Sequence, residues 1–378
     1  MKILITVGIY PPDIGGPASF VPKIANLLSQ NNYEVTVICL SDSNLQDNET
    51  YKVKRILRNQ NLLIRWLKTI ILIILNGRNA ECIFVNGLPM ESYIANIFLR
   101  KKIVRKIVGD WAWERGRNKG LIEDSFDEFQ LNSHNLHLEI AKFSRGWTAT
   151  KADIVITPSR HLSNVVKNWG VKADKLKVIY NGTRITNNEF SKSNSNIIKL
   201  ITVGRLAPWK NVNTIIEAVH LLKNQDLKIN LIIVGSGPED LDLKKQVNNL
   251  NLTNEVIFTG QKKYSDLKEY YKSADIYIQA SGYEGLPHVL LEAINFNLAI
   301  ISTPIGGTNE ILQDGKNGFI LDLEKGIKPN SENLKNIILE VVNNKKLTEE
   351  KKVNAKKLLN SKFDESKNLY EYLEILNK

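Results

Sequence analysis

ADIYIQASGYEGLPHVLLEA, Ala274–Ala293, reads as a short apolar strand, a glycine-containing loop and the first turns of a helix. Pro287 suits the first helical position, where its fixed φ is already helical and its missing N–H removes no hydrogen bond. The backbone amides around Gly285, Leu286, Pro287 and His288 then sit at a helix N-terminus, where partial positive charge favours an anion. Glu284 falls in the loop just before that helix, and Glu292 lies about a turn and a half inside it. Two carboxylates so spaced can reach two hydroxyl-bearing parts of one ligand whose phosphates lie between them.

Two upstream stretches repeat the strand–loop–helix plan. In VGRLAPWK, Val203–Lys210, Arg205 follows a strand and Lys210 opens the next helix. Two cations at the C-terminal edge of a sheet suit a pyrophosphate through charge-assisted hydrogen bonds. In VGSGPE, Val234–Glu239, the glycines permit a tight strand-to-helix turn, which by itself is only a turn.

Working outward, IIKLITVGRL, KINLIIVGSG, EVIFTG, ADIYIQA, LAIISTP and GFIL are short apolar runs separated by helical spacing. The first half shows the same alternation in KILITVG, YEVTVICL, AECIFVNG, RKIVGD, ADIVITPS and LKVIYNG. Short buried strands between helices indicate parallel βαβ units. The 378 residues, at ~100–200 per domain, make two domains. The polar stretch Thr183–Asn196, rich in Asn and Ser, reads as the linker. The expected architecture is α/β, two Rossmann-like domains facing across a cleft. The N-terminal domain is 1–185 and the C-terminal domain 197–360, with a terminal helix over 361–378. Ligands belong at the C-terminal ends of the strands.

In the first half, YPPDIGGPASFV (Tyr10–Val21) places Gly15 and Gly16 before a helix near Pro17, a second candidate anion site. KIVGDWAWERGR (Lys106–Arg117) puts Asp110 at the end of a strand, in reach of an acceptor hydroxyl as orienter or base. Trp111 and Trp113 stand as sugar-stacking residues or as core. His134 and His137, with Glu123, Asp124, Asp127 and Glu128, show no metal-ligand order, and no metal is expected.

The formal charge of +11 is uneven. Residues 1–190 carry 26 basic and 17 acidic side chains, and 51–120 alone carry 15 and 4. Such a one-sided patch fits an anionic membrane surface, a phosphorylated lipid or a nucleic acid, or is simply a solvated basic face. Leu62–Leu75 is too short and too charged to cross a bilayer, and reads as a core helix in preference to a membrane-surface helix. Cys39 and Cys82 lie in strand-like runs and read as buried reduced thiols. The opening MKILITVGIY is a strand and not a leader, so a cytoplasmic protein is expected; the basic first half is what would make it peripheral on the inner membrane face.

EGLPHVLLE resembles the E-x7-E motif of retaining family 4 (group 1) glycosyltransferases of the GT-B fold. GRLAPWK, VGSGPE, VIFTG and PIGGTNEILQDGKNGFIL follow in the order and spacing of that family. The resemblance implies that Arg205 and Lys210 hold a donor pyrophosphate and that Glu292 accepts from the ribose hydroxyls. It implies that Glu284 meets the transferred sugar and that the amides near Leu286 and Pro287 bind phosphate or sugar. The base would lie near Val256 and Gly260. It further implies a nucleoside-diphosphate sugar as co-substrate, a glycan or lipid-linked acceptor, and no bound cofactor. A C-terminal helix over Ser361–Leu376 would cross back to the first domain. No nucleic-acid partner is expected. A nucleotide-sugar 2-epimerase of the same fold and a non-enzymatic binder of anionic ligands are the alternatives. A dinucleotide oxidoreductase would want Gly-x-Gly-x-x-Gly where this chain has GIYPPDIGGP.

Overall fold

A computed structural model describes residues 1–186, 197–225, 227–313, 315–324 and 328–377. It contains two parallel sheets. The first comprises β1 (Lys2–Val7), β2 (Glu34–Ser41), β3 (Lys52–Leu57), β4 (Cys82–Val85), β5 (Lys102–Lys106), β6 (Ile154–Thr157) and β7 (Leu176–Val178), in the order 3-2-1-4-5-6-7. The second comprises β8 (Ile198–Val203), β9 (Ile229–Val234), β10 (Val256–Gly260), β11 (Ile276–Gln279), β12 (Ala299–Ser302) and β13 (Phe319–Ile320), in the order 10-9-8-11-12-13. In each sheet the strand order reverses beside the first strand, between β1 and β4 and between β8 and β11. Loops diverge at that point and leave room for a ligand.

The chain divides into two compact units that do not follow its linear order. One holds Met1–Asp110, Asn135–Ile179 and Ser366–Lys378; the other holds Trp111–His134 and Tyr180–Glu365. The first core packs the helix Gly16–Gln30 and the terminal helix Glu365–Asn377 on β1, β2 and β4. There Tyr372 meets Phe20 and Phe84, with ring centroids 5.1 and 6.0 Å away. The terminal helix is separate from its predecessor: Lys345–Lys362 stops, Thr183 bridges Asp364, and a new helix starts at Glu365. Both cysteines are buried free thiols, and burial pushes Cys39 up to about 12 and Cys82 to about 11.

Four local expectations shift. Asp110 does not end a strand: β5 stops at Lys106, Ile107 N–H makes one last bond to Ile156, and the chain then leaves the sheet. Pro287 is the residue before its helix, which runs His288–Asn295. The helix Leu62–Gly77 is not a core helix, because only Thr69, Ile70, Ile73 and Gly77 of it are buried. Residues 187–196 of the expected linker lie outside the described residues, while Thr183 at its start is buried.

Candidate functional site

The site grows from the loops that follow β8 and β11 in the second unit. After β8 the chain passes Gly204, Arg205 and Leu206 to a short 3-10 turn, Pro208–Lys210. After β11 it passes Ser281 and Glu284 to the helix His288–Asn295. Gly282 N–H donates to the Trp209 carbonyl at 2.7 Å and Asn211 Nδ2 to the Ala280 carbonyl at 2.9 Å, tying the two loops together. They line one pocket, with Thr202, Arg205, Lys210, Gln279, Ser281 and Glu284 among its polar walls.

Within that pocket the Lys210 ammonium lies 2.5 Å from Glu284 Oε1. The same oxygen accepts the Ser281 hydroxyl at 2.8 Å. Arg205 is exposed at the rim, where its guanidinium is available to a ligand. Arg205, Lys210 and Glu284 thus line one pocket. Glu292 does not line this pocket; half-buried one turn into the helix, it accepts the Tyr271 hydroxyl at 3.1 Å. His288 is the first helical residue and half-buried. Gly285, Leu286 and Pro287 are buried, and the amides of Gly285 and Leu286 make no hydrogen bond to other described residues. Val256, on β10 beside β9, packs in the core, so any contact with a base there falls to the Gly260 end of β10.

Glycines hold these loops close. A Cβ on Gly306 would sit 2.1 Å from the Glu284 carbonyl oxygen, and one on Gly307 2.0 Å from that of Gly285. Gly307 N–H donates to the Glu284 carbonyl at 3.0 Å, and Asn181 Nδ2 to that of Leu286 at 3.0 Å. Gly235 and Gly237 likewise approach the Gly204 and Leu206 carbonyls, so the glycines of VGSGPE serve loop-to-loop packing as well as a turn. The carboxylate and the helix tip are therefore held before any ligand arrives.

Sequence reasoning passed over Glu114. It lies on the helix Trp111–Asn118, which belongs to the second unit. Trp113 is buried, with ring centroids 5.2 Å from Trp209 and 5.3 Å from Tyr283, so it is core and not a sugar platform. That packing seats the helix beside the 3-10 turn. Burial drives the Glu114 carboxyl above the usual carboxylate range, with Lys210 and Arg205 opposing the shift and Glu284 adding to it. Trp111 stays exposed. His134 pairs with Asp124 at 3.1 Å, and the described residues hold no cluster of metal-ligating side chains.

The remaining candidates belong to the first unit. Asp110 is 0% exposed and its carboxylate pairs with Arg145, itself 4% exposed. Gly15, at φ +156°, caps the helix Gly16–Gln30, and open space surrounds the position a Gly16 Cβ would take. The preceding loop is pinned by Asp13, which pairs with Arg58 and whose carboxyl that guanidinium holds below its ordinary range.

Residues 184–358 match the family described as glycosyl transferases group 1, and residues 14–186 match glycosyltransferase family 4. An uncharacterised glycosyltransferase of Methanocaldococcus jannaschii, MJ1069, is 35% identical over 239 residues, 60% of this chain and 59% of its own. Alpha-monoglucosyldiacylglycerol synthase of Streptococcus pneumoniae is 29% identical over 177 residues, 43% of this chain and 40% of its own. This chain spans about half the length of the curated relatives it matches. The crystal structure of Anabaena HepE with UDP and glucose superposes with a TM-score of 0.79 over 100% of this chain and 99% of that one, at 21% identity. That likeness is one of fold.

Proposed function

Because the chain belongs to the group 1, family 4 glycosyltransferases of the GT-B fold, we propose that it moves a sugar from a nucleoside-diphosphate sugar to a glycan or lipid-linked acceptor, with retention of configuration, in surface polysaccharide or glycoconjugate synthesis. The observation that carries this reading is the meeting of Arg205, Lys210 and Glu284 at the point where the strand order reverses, beside a helix tip. Lys210 and Arg205 hold the donor diphosphate, helped by the amides of Gly285 and Leu286. As the sugar–oxygen bond breaks, negative charge grows on the departing diphosphate. These groups then bind it more strongly than they bound the donor, and that difference accelerates the reaction. Removing one such group typically costs ~3–4 kcal/mol of transition-state stabilisation.

Glu284 orients hydroxyls of the transferred sugar, and Glu292, steadied by Tyr271, accepts from the ribose. A departing phosphate oxygen takes the acceptor's proton, so no protein nucleophile is required. Asp110 in its Arg145 pair positions the segment that leads into Trp111, and Gly15 and Gly16 offer the first unit's anion-binding turn. The S. pneumoniae relative is named for making a glucosyl-diacylglycerol, which supports a lipid acceptor. On this proposal the reaction takes place at the inner face of a membrane, with the protein peripheral to it.

The test incubates the protein with a panel of nucleoside-diphosphate sugars, with and without lipid-linked acceptors, and follows both products by mass spectrometry. Acceptor-dependent release of the nucleoside diphosphate together with a glycosylated acceptor is expected. Conversion of the donor to its epimer without acceptor, or no consumption of any donor, contradicts the reading.

A further inference from the structure

The helices on one face of the seven-stranded sheet turn an apolar surface outward. On Leu62–Gly77, Ile64, Leu67, Ile71 and Leu75 are exposed, Ile71 to 55%. They recur every three or four residues, so they form one stripe along the helix, away from the buried Ile70 and Ile73. The neighbouring helix Pro89–Leu99 comes close at its end, where a Cβ on Gly77 would lie 2.5 Å from Leu99 Cδ1. Its Phe98 is 71% exposed. A third helix, Leu136–Thr150, joins the second through an edge-to-face contact of Trp147 with Tyr93, and leaves Phe143 72% exposed. The other face of the same sheet is covered by the terminal helix. An apolar surface spread over three adjacent helices is larger than scattered exposed side chains explain.

Charge selects the occupant. No acidic residue occurs between Leu57 and Arg78, and Lys68, Arg78 and Arg100 are exposed beside the apolar side chains. A second copy seated symmetrically on this face would set cation against cation. An anionic bilayer accepts both parts: apolar side chains enter the acyl boundary while Lys and Arg remain at the headgroups. The helix Leu62–Gly77 has 16 residues, about 24 Å, so it lies in the membrane plane; no helix among the described residues is long and apolar enough to cross.

We propose that this three-helix face docks the first unit on an anionic lipid bilayer. Its purpose rests on the lipid-linked acceptor proposed above, which such docking would bring within reach; its physical grounds do not.

The experiment sediments the full chain with vesicles of phosphatidylglycerol and phosphatidylcholine, or of phosphatidylcholine alone, at low and high salt. The wild type is expected to pellet with the anionic vesicles, at least about tenfold less with neutral ones, and less as salt rises. The double variant Leu67→Glu/Ile71→Glu, with an unchanged melting curve because both side chains are exposed, is expected to stay in the supernatant. It should still bind UDP as the wild type does. Wild type that ignores anionic vesicles at low salt, a double variant that pellets equally, or a wild-type dimer that the double variant splits overturns the proposal. Loss of UDP binding with vesicle binding intact would count against the donor site and leave the docking face standing.

Discussion

Lys210 and Glu284 are bonded to each other at 2.5 Å, although one is the residue proposed to hold a diphosphate and the other the residue proposed to hold a sugar. The pair keeps both side chains extended into the pocket. It also means that a diphosphate competes with Glu284 for the ammonium, and that losing either partner changes the other's charge balance.

Removing Lys210 therefore does two things: it deletes a cation and leaves the Glu284 carboxylate facing the phosphates. Lys210→Ala should weaken UDP binding more than Glu284→Gln. The double variant should recover part of that loss, with a coupling of about 0.5–3 kcal/mol, the range for groups in direct contact. Calorimetric titration of the four proteins measures it; strictly additive losses would contradict the arrangement.

The glycine contact behind the loop is equally specific. Gly307→Ala puts a methyl group 2.0 Å from the Gly285 carbonyl oxygen, so backbone must move on one side or the other. UDP affinity should fall by about 1.4 kcal/mol or more, a factor of about ten. Titration of the folded variant checks it; unchanged affinity would mean that the helix tip does not depend on this contact.

Glu114 makes binding sensitive to pH. Its carboxyl titrates above the usual range because burial favours the neutral form. When it ionises beside Lys210 and Arg205 it opposes an arriving diphosphate. At a pH above that raised value, Glu114→Gln should bind UDP more tightly than the wild type. At a pH where the wild-type carboxyl is protonated, the two should converge. UDP's own titration is common to both proteins and cancels in the comparison. Parallel affinity-versus-pH curves would contradict the placement.

Lys106 predicts a pH effect on stability. Burial between Phe20, 3.4 Å from the ammonium to the ring centroid, and Tyr372, at 5.0 Å, pushes its pKa down to about 7. Between that value and the ordinary lysine range, about 10.4, the unfolded chain binds a proton that the folded chain does not. Stability from this group therefore rises with pH through the window and is lowest below it. Lys106→Met should flatten that slope and stabilise the protein most at neutral pH and below. Urea melts at several pH values decide it; the same slope in both proteins would show that Lys106 does not titrate there.

Much of this was legible in the amino acids, for identifiable reasons. The apolar runs of β8, β9 and β11 are buried or half-buried at every position, so they read as strands directly, and the loops after β8 and β11 carry the cations and carboxylates. KVKRIL of β3 did not announce itself, because it mixes three basic residues with three apolar ones without a period of two, and at the edge of the sheet only Ile56 is buried. Asp110 reads as a strand tip because the apolar Ile107 and Val108 carry the run on to Gly109; the ladder ends at Lys106, and a charge partner 35 positions away has no local sign. Glu114 could not be found from spacing, since a segment from the first half of the chain packs into the second unit through Trp113, Trp209 and Tyr283. The helix Leu62–Gly77 has apolar residues on most of its circumference, and composition does not say which side the sheet takes.

The central claim is a diphosphate held by two cations beside a helix tip. Arg205 is exposed and can be removed without disturbing the core. The most direct measurement is therefore calorimetric titration of UDP, used as a nucleoside-diphosphate probe, into the wild type and Arg205→Ala. The account predicts binding by the wild type and a loss of about 1.5–3 kcal/mol, at least tenfold, in the variant. Equal affinities in the two proteins would contradict it.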